Sequence, residues 1–232
     1  MTALRVIIDG KPASGKTTVS TALERSLNDF GIKTFDAKSD VLNGMFSNLL
    51  RRFEDTDIKT FRDLGRSVMY HAISYAALEL SSWQNRNRYD VILLQRSPYS
   101  FIFALNATKL KEHQPLRIVP SDLLANILSA WSSVVKPDAY IYLKVEQPIL
   151  EKRFNERKSG KDSIHTALLR QDDDPNIELL KQKLSNVSFY EEENSGPLED
   201  TISRLKPIIM AELPRMHIKP IPMRKESGNR QT

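Results

Sequence analysis

The fold of this 232-residue chain is decided by the stretch Gly10-Lys11-Pro12-Ala13-Ser14-Gly15-Lys16-Thr17. It fits the pattern G-x-x-x-x-G-K-[ST], whose glycines let the backbone curl so that its N–H groups point at phosphate oxygens. A helix starting there adds a dipole that favours negative charge. The pattern predicts a phosphate-binding loop from Gly10 to Thr18. In this loop Lys16 reaches the β- and γ-phosphates, and Thr17 places its hydroxyl on Mg²⁺.

The residues on both sides of the motif supply the context that it requires. Residues 4–9, Leu-Arg-Val-Ile-Ile-Asp, form a short apolar, β-branched run that predicts a buried strand. After the motif, Val19, Leu23 and Leu27 share one face of a predicted helix that runs to about Asn28. A strand before the loop and a helix after it favour a phosphate-binding loop over a chance match.

The length of 232 residues suits one α/β domain, and with 40% hydrophobic and 27% charged residues the chain can bury a proper core. It contains no cysteine, which excludes disulfides, Cys-ligated metal and thiol catalysis and fits a cytoplasmic protein. No run of apolar residues is long enough to span a bilayer, so we expect no membrane partner. The N-terminus enters the first predicted strand at once, so we expect no signal peptide.

The net charge of +5 raises the alternative of a nucleic-acid-binding protein. Basic residues cluster at the phosphate loop, at Arg153–Lys161 and in the C-terminal tail. A polyanionic nucleotide accounts for the first two clusters. We therefore favour a nucleotide over a nucleic acid as the binding partner.

Predicted strands and helices alternate along the rest of the chain, which implies a parallel sheet with helical crossovers. Further strands are predicted at 32–36, 89–94, 139–145 and 187–190, and helices around 41–53, 60–84, 121–135, from Pro148, 176–184 and 197–213. Ligands of such sheets lie at the carboxyl ends of the strands, where Gly10, Asp36, Gln95–Arg96 and Val145 fall. We interpret residues 1–213 as one domain with a lid at about 153–175, and residues 214–232 as a basic, flexible tail.

Four segments beyond the phosphate loop carry a family resemblance. Gln95-Arg96-Ser97-Pro98-Tyr99-Ser100 follows the third strand, and Pro137–Val145 forms the fourth. Leu150, Arg153 and Arg157 are spaced along the next helix, and Val187–Tyr190 and Pro197–Ile202 stand near the end. With these motifs the chain resembles the P-loop nucleoside and nucleotide kinase superfamily of thymidylate kinases and deoxynucleoside kinases. The fourth strand and the start of the lid look more like thymidylate kinases.

The resemblance implies a three-layer αβα sandwich, with helices flanking a five-stranded parallel sheet in the order 2-3-1-4-5. It also implies a Mg²⁺-dependent kinase that uses ATP as phosphoryl donor and a nucleoside monophosphate as acceptor. The alternatives are a deoxynucleoside 5′-kinase, a small-molecule kinase acting on an antibiotic or sugar, and a regulatory nucleotide-binding ATPase that is not a kinase. Related kinases pair through long helices, so the apolar helix at 61–80 is a candidate homodimer face.

Three departures from the thymidylate kinase pattern bear on the acceptor. Gln95 replaces the acid that usually precedes the arginine; an amide can hydrogen-bond a magnesium-bound water, but it cannot act as a base. The helix arginine that grips the acceptor phosphate in those kinases would fall near Ser74, where this chain has no arginine. Asp36-Ala37-Lys38-Ser39-Asp40 stands in place of an Arg-Glu-Pro-Gly segment. The last two departures weaken the expectation that the acceptor is thymidylate.

Besides Lys16, the resemblance implies catalytic roles for Asp36, Arg96, Arg153 and Arg157. Arg96 would steady the transferring phosphoryl group, with a surface ion pair as the alternative. Arg153 and Arg157 lie four apart and would close over ATP, unless they form a solvated basic face. Asp36 would take the proton of a 5′-hydroxyl acceptor. Asp40 is the rival for that role, and it suits a helix N-cap better.

The acceptor is expected to contact residues at the strand ends and on the long helix, namely Asp36, Lys38, Arg66, Tyr70, Gln95, Arg96 and Ser97. Arg62 and Arg66 lie four apart and can replace the missing helix arginine if they face the cleft. A stacking partner for the base is expected among Phe61, Tyr70, Tyr75 and Trp83, although aromatic residues at helical spacing are more often core residues. Ser97 either hydrogen-bonds the substrate or caps the next helix.

Overall fold

The computed structural model describes residues 3–37, 74–95, 137–157, 169 and 174–213. Strands and helices alternate through these residues, as the sequence predicts. The elements are β1 (Leu4–Gly10), α1 (Lys16–Asp29), β2 (Thr34–Asp36), α2 (described over 74–85), β3 (Val91–Gln95), β4 (Ala139–Lys144), α3 (Gln147–Glu156), α4 (Asp174–Lys183), β5 (Ser188–Glu193) and α5 (Leu198–Glu212).

The five strands form one sheet in the order β2-β3-β1-β4-β5. All neighbouring strands are parallel, so the predicted fold class and strand order are confirmed. The register aligns Ile8 of β1 with Gln95 of β3, and Gly10 of β1 with Leu143 of β4. The carboxyl ends of the central strands therefore meet at one edge of the sheet, beside the start of the phosphate loop.

Successive side chains along β1 point to opposite faces of the sheet, and each face is covered by helices. Ile7 packs in a cluster with residues of α2 and α4, among them Tyr75 and Leu180. Val6 and Ile8 pack in a second cluster on the other face, with residues of α1 and α5 that include Val19, Leu23, Leu27, Leu205 and Ile209. Both faces are buried, which explains why β1 reads as an apolar run rather than an alternating one.

The second strand begins at Thr34, two residues later than predicted. The N–H of Ile32 donates to the carbonyl of Leu27 at 3.0 Å, so Ile32 closes the end of α1 instead of joining the sheet. The third and fourth strands also end one residue away from the predictions, at Gln95 and at Lys144.

The fifth strand runs on to Glu193, three residues beyond its predicted end at Tyr190, and so includes Glu191, Glu192 and Glu193. Their backbones pair with the end of β4. The carboxylate of Glu191 also binds Lys144 and Lys181, each at 2.6 Å. Burial raises the pKa of Glu191, but hydrogen bonds from both lysines outweigh that effect and lower it. These ion pairs allow three consecutive acids to form an edge strand.

Several predicted segments lie outside the described residues. They are the helices at 41–53 and 121–135, the long helix before residue 74, the lid from 158 to 173 except Leu169, and the tail at 214–232. The division into a domain, a lid and a tail remains a prediction. Among the helices of the described ranges, none has both the length and the apolar character needed to cross a membrane.

Candidate active site

The loop between β1 and α1 has the backbone that its two glycines predict. Gly10 and Gly15 have φ values of 145° and 89°. A Cβ on Gly10 would lie 2.7 Å from the carbonyl oxygen of Leu143, so only glycine fits there. Ala13 also has a positive φ, of 65°, which is a strained conformation for a residue with a side chain. This curled loop aims the first turn of α1 at the carboxyl edge of the sheet.

The start of α1 carries neither a side-chain cap nor an acidic residue in its first turn. Its N–H groups and its dipole therefore favour an anion from outside the helix. Lys16 adds a positive charge at the same place, since its Nζ donates to the carbonyls of Gly10 and Lys11, each at 2.6 Å. The loop, the helix start and Lys16 together form a cradle for phosphate groups.

A chain of hydrogen bonds leads from the phosphate loop into the protein interior. Thr17 Oγ1 donates to Gln95 Oε1 at 2.9 Å, and Gln95 Nε2 donates to Asp36 Oδ2 at 2.7 Å. Ser20 Oγ donates to the same Asp36 oxygen at 2.8 Å. Thr17 is exposed, whereas Gln95 and Asp36 retain only 3% and 1% of their accessible surface. The ends of β2 and β3 are thus tied to α1.

Glu24 adds a second carboxylate beside Asp36. Its Oε1 accepts the backbone N–H of Asp36 at 3.1 Å. Burial raises the pKa of Glu24; that hydrogen bond lowers it, and the nearby Asp36 carboxylate raises it further. The neutral amide of Gln95 suits this surrounding, because a third carboxylate here would meet Asp36 at hydrogen-bond distance.

A cleft of about 520 Å³ opens over the phosphate loop, which is the size of a small-molecule binding site. Four parts of the fold form its walls: the loop with the first turn of α1, the end of β3, the end of α3, and the connection from β5 to α5. The lining residues are Pro12, Ala13, Gly15, Lys16, Thr17, Thr18, Gln95, Arg153, Glu156, Arg157, Asn194, Gly196 and Leu198.

Both arginines of the predicted lid line this cleft, but they do not share a helix face as predicted: Arg153 lies in the last turn of α3, whereas Arg157 follows the helix with an extended backbone. Arg153 donates to the carbonyl of Asn194 at 2.8 Å. Leu150 and Phe154 of the same helix pack with Ala13 of the phosphate loop in a small apolar cluster. The cleft is therefore lined by two arginines as well as Lys16.

Two polar residues at the site were missed by the sequence analysis. Asp9 is 2% exposed and accepts hydrogen bonds from the Gly10 N–H at 2.8 Å and from the Tyr140 hydroxyl at 2.5 Å. Asn194 is 4% exposed and its Nδ2 donates to the Ser14 carbonyl at 2.7 Å. Both lie where a strand ends at the ligand edge, which is the signal that could have identified them.

The structure brings together Lys16, Thr17 and Gln95 with Arg153 and Arg157 around one cleft, and it places Asp36 one hydrogen bond behind Gln95. The remaining predicted catalytic and acceptor-binding residues lie outside the described residues. They are Lys38, Arg66, Tyr70, Arg96 and Ser97.

The described ranges hold no cluster of three or more His, Cys, Asp or Glu side chains that could bind a metal by itself. The Thr17 hydroxyl and the Gln95 amide oxygen lie together at the mouth of the phosphate loop. Neutral oxygen groups of this kind fit Mg²⁺, which keeps most of its waters and is held largely by substrate phosphates.

Comparison with known proteins places this site in a family context. A model of the deoxynucleoside kinase family matches residues 6–195, from β1 to just beyond β5. The structure of thymidylate kinase from Candida albicans is similar in fold, with a TM-score of 0.60 and 21% identity, over 90% of this chain and 92% of that one. A search among curated proteins finds no significant match.

Proposed function

Because the chain belongs to the deoxynucleoside kinase family and is therefore a nucleoside or nucleotide kinase, we propose that its acceptor is a nucleoside monophosphate. ATP is the phosphoryl donor that the family implies. The transfer breaks the bond between the γ-phosphorus and its bridging oxygen and forms a bond to an acceptor phosphate oxygen, which leaves ADP and a nucleoside diphosphate.

The observation that carries this proposal is the state of Asp36. A hydroxyl acceptor needs a base within hydrogen-bond reach, and Asp36 is the predicted base. Its carboxylate is 1% exposed and already accepts hydrogen bonds from Gln95 and Ser20. A phosphate oxygen is anionic before transfer and needs no base. The burial and engagement of Asp36 therefore favour a monophosphate acceptor.

The described residues act mainly by positioning and by neutralising charge. The phosphate loop holds the donor phosphates, and Lys16 exchanges its contacts with the Gly10 and Lys11 carbonyls for phosphate oxygens. Arg153 and Arg157 face the donor from the other wall of the cleft and stabilise the charge that spreads over the transferring group. Mg²⁺, when bound, would contact the Thr17 hydroxyl and supply further neutralisation of the phosphates.

The acceptor side of this proposal rests on residues beyond the described ranges. Arg66, with Arg62 or Lys38, grips the acceptor phosphate in place of the missing helix arginine. Arg96 steadies the transferring group, Ser97 contacts the acceptor, and Tyr70 stacks on the base.

A deoxynucleoside 5′-kinase is the second candidate, and the family match over residues 6–195 favours it. In that case Asp36 would have to lose a hydrogen bond that it now accepts from Gln95 or Ser20, so that its carboxylate could act as the base for the 5′-hydroxyl.

The two candidates are separated by comparing nucleosides with their 5′-monophosphates in the wild type, Asp36→Asn and Arg66→Ala. We expect phosphorylation of the monophosphates, a rise of about tenfold or more in the monophosphate KM in Arg66→Ala, and a modest effect of Asp36→Asn. Asp29→Asn, at the exposed end of α1, is the matched control for the lost carboxylate. Activity confined to nucleosides and abolished by Asp36→Asn would overturn the proposal.

A further inference from the structure

Asn194 lies directly after β5, and its backbone N–H and carbonyl form hydrogen bonds to β4 and α3. Its N–H donates to the carbonyl of Lys144, at the end of β4, at 2.8 Å. Its own carbonyl accepts the Nη1 hydrogen of Arg153, from α3, at 2.8 Å. The backbone of Asn194 thus fixes the position of one cleft arginine relative to the sheet.

The side chain of Asn194 joins two further elements. Nδ2 donates to the carbonyl of Ser14 in the phosphate loop at 2.7 Å, and Oδ1 accepts the hydroxyl hydrogen of Thr201, from α5, at 2.8 Å. A peptide carbonyl can only accept, so the amide nitrogen must face Ser14 and the oxygen must face Thr201. Thr201 is 1% exposed, and this buried partner locks the amide in that orientation.

The Asn194 side chain packs closely against the phosphate loop. A Cβ added to Gly15 would lie 2.6 Å from Asn194 Nδ2. Gly15 itself has a φ of 89° and immediately precedes α1. The Asn194 side chain therefore contacts the phosphate loop at two consecutive residues, Ser14 and Gly15, where the backbone turns its N–H groups toward the cleft.

We propose that Asn194 is a positioning residue for the donor nucleotide: its buried side-chain amide holds the curvature of the phosphate loop, and its backbone carbonyl holds Arg153 beside that loop. Removing the amide leaves the Ser14 carbonyl without this donor and Thr201 without this acceptor, both in a buried place. The loop then loses the restraint that preorganises its N–H groups. Arg153 keeps its hydrogen bond to the Asn194 carbonyl, but that residue is no longer tied to the loop, so Arg153 loses its fixed distance from the donor phosphates. This inference rests on the proposed function only for the role of Arg153.

The first test measures binding of an ATP analogue with a β,γ-imido bridge, which requires no acceptor. The variants are Asn194→Ala and Thr201→Val, with Ser203→Ala as control, because Ser203 lies on the exposed side of α5. We expect a dissociation constant about tenfold higher in Asn194→Ala, a smaller rise in Thr201→Val, and no change in Ser203→Ala. The KM of ATP should rise in the same order, while the KM of the acceptor stays constant.

A purely structural role predicts a different result. Lower melting temperatures in Asn194→Ala and Thr201→Val with wild-type affinity for the analogue would overturn the proposal. If Asn194→Ala fails to fold, Thr201→Val decides the question, because it keeps Asn194 and removes only the hydroxyl that orients it.

A double-mutant cycle tests the link to Arg153. We expect Arg153→Ala to weaken analogue binding less in the Asn194→Ala background than in the wild type, because the two residues act together. Equal effects in both backgrounds would disprove the link. Neither binding experiment depends on which acceptor is used, so failure of the monophosphate proposal would leave both results interpretable.

Discussion

Gln95 is a single residue whose side-chain amide connects Thr17 to Asp36 by accepting one hydrogen bond and donating another. Its oxygen accepts from Thr17 and its nitrogen donates to Asp36. An ionised acid at this position could accept from Thr17 but would repel Asp36. The amide and the buried carboxylate are therefore compatible with each other, which gives a physical reason for the replacement of the usual acid.

Lys16→Ala tests the phosphate cradle at the same scale. The ammonium group of Lys16 is the positive charge of the phosphate loop, held by the carbonyls of Gly10 and Lys11. We therefore expect its removal to lower phosphoryl transfer by about 10²-fold or more without unfolding the protein. Steady-state turnover with ATP measures the loss, and circular dichroism verifies the fold. Lys33→Ala removes the same charge from an exposed position before β2, at the opposite edge of the sheet, and serves as control. Unchanged turnover in Lys16→Ala would contradict the assignment.

At the level of secondary-structure elements, a hydrogen bond joins α1 to the end of β2. Glu24 of α1 accepts the N–H of Asp36, which anchors the helix to the strand. Burial raises the pKa of Glu24 in the folded protein. A carboxyl group whose pKa is higher when folded than when unfolded favours folding below its unfolded pKa, and this contribution is lost as the pH rises through the folded pKa. At neutral pH the ionised Glu24 therefore costs stability.

Glu24→Gln should raise the melting temperature at pH 7 by about 1–2 °C, because the glutamine oxygen still accepts the Asp36 N–H and the charge is removed. The effect is small since Glu24 is only partly buried. The two proteins should converge as the pH falls toward the unfolded pKa of the carboxyl group, which thermal unfolding between pH 4 and 8 would show. Glu199→Gln removes a charge from the first turn of α5, where the helix dipole favours it, so this control should not gain stability. A gain at pH 7 that persists unchanged at pH 4 would argue against the charge as cause.

Local patterns predict elements well and element ends less well. The phosphate loop, β1 and α1 could be predicted because their signals are contiguous in sequence. The start of β2 could not, because it depends on Ile32 closing α1. The end of β5 could not either, because pairing with β4 and two lysines outweighs the polarity of three consecutive glutamates.

The whole molecule forms its cleft from parts that are far apart in sequence. The alternation of strands and helices predicts the parallel sheet and its ligand edge, so Lys16, Gln95 and Arg153 could be assigned to one place. Asn194 could not be assigned to this site, because its role depends on a contact with Ser14, 180 positions away. The same holds for Asp9, whose partner Tyr140 is 131 positions away. Such pairings depend on the sheet register, which no local pattern specifies.

The surface of α2 leads to a prediction about assembly. Tyr75, Ala77 and Leu78 face the core. Leu80 and Trp83 lie three apart on the outer face and remain 44% and 61% exposed. In the described part of the chain, the only other large hydrophobic side chain so exposed is Phe30. Exposed apolar side chains on the outer face of α2 are what a helix-paired homodimer requires.

We therefore expect light scattering at micromolar concentration to give twice the 26.6 kDa mass of the chain. Trp83→Glu should shift the protein toward monomers, because a charge buried between two copies would be desolvated without a partner. Phe30→Glu is the matched control: Phe30 is also an exposed aromatic residue, but it follows α1, on the other face of the sheet from α2. A monomeric mass for the wild type would refute the dimer outright. A dimer that Trp83→Glu leaves intact and Phe30→Glu disrupts would move the interface from α2 to the end of α1.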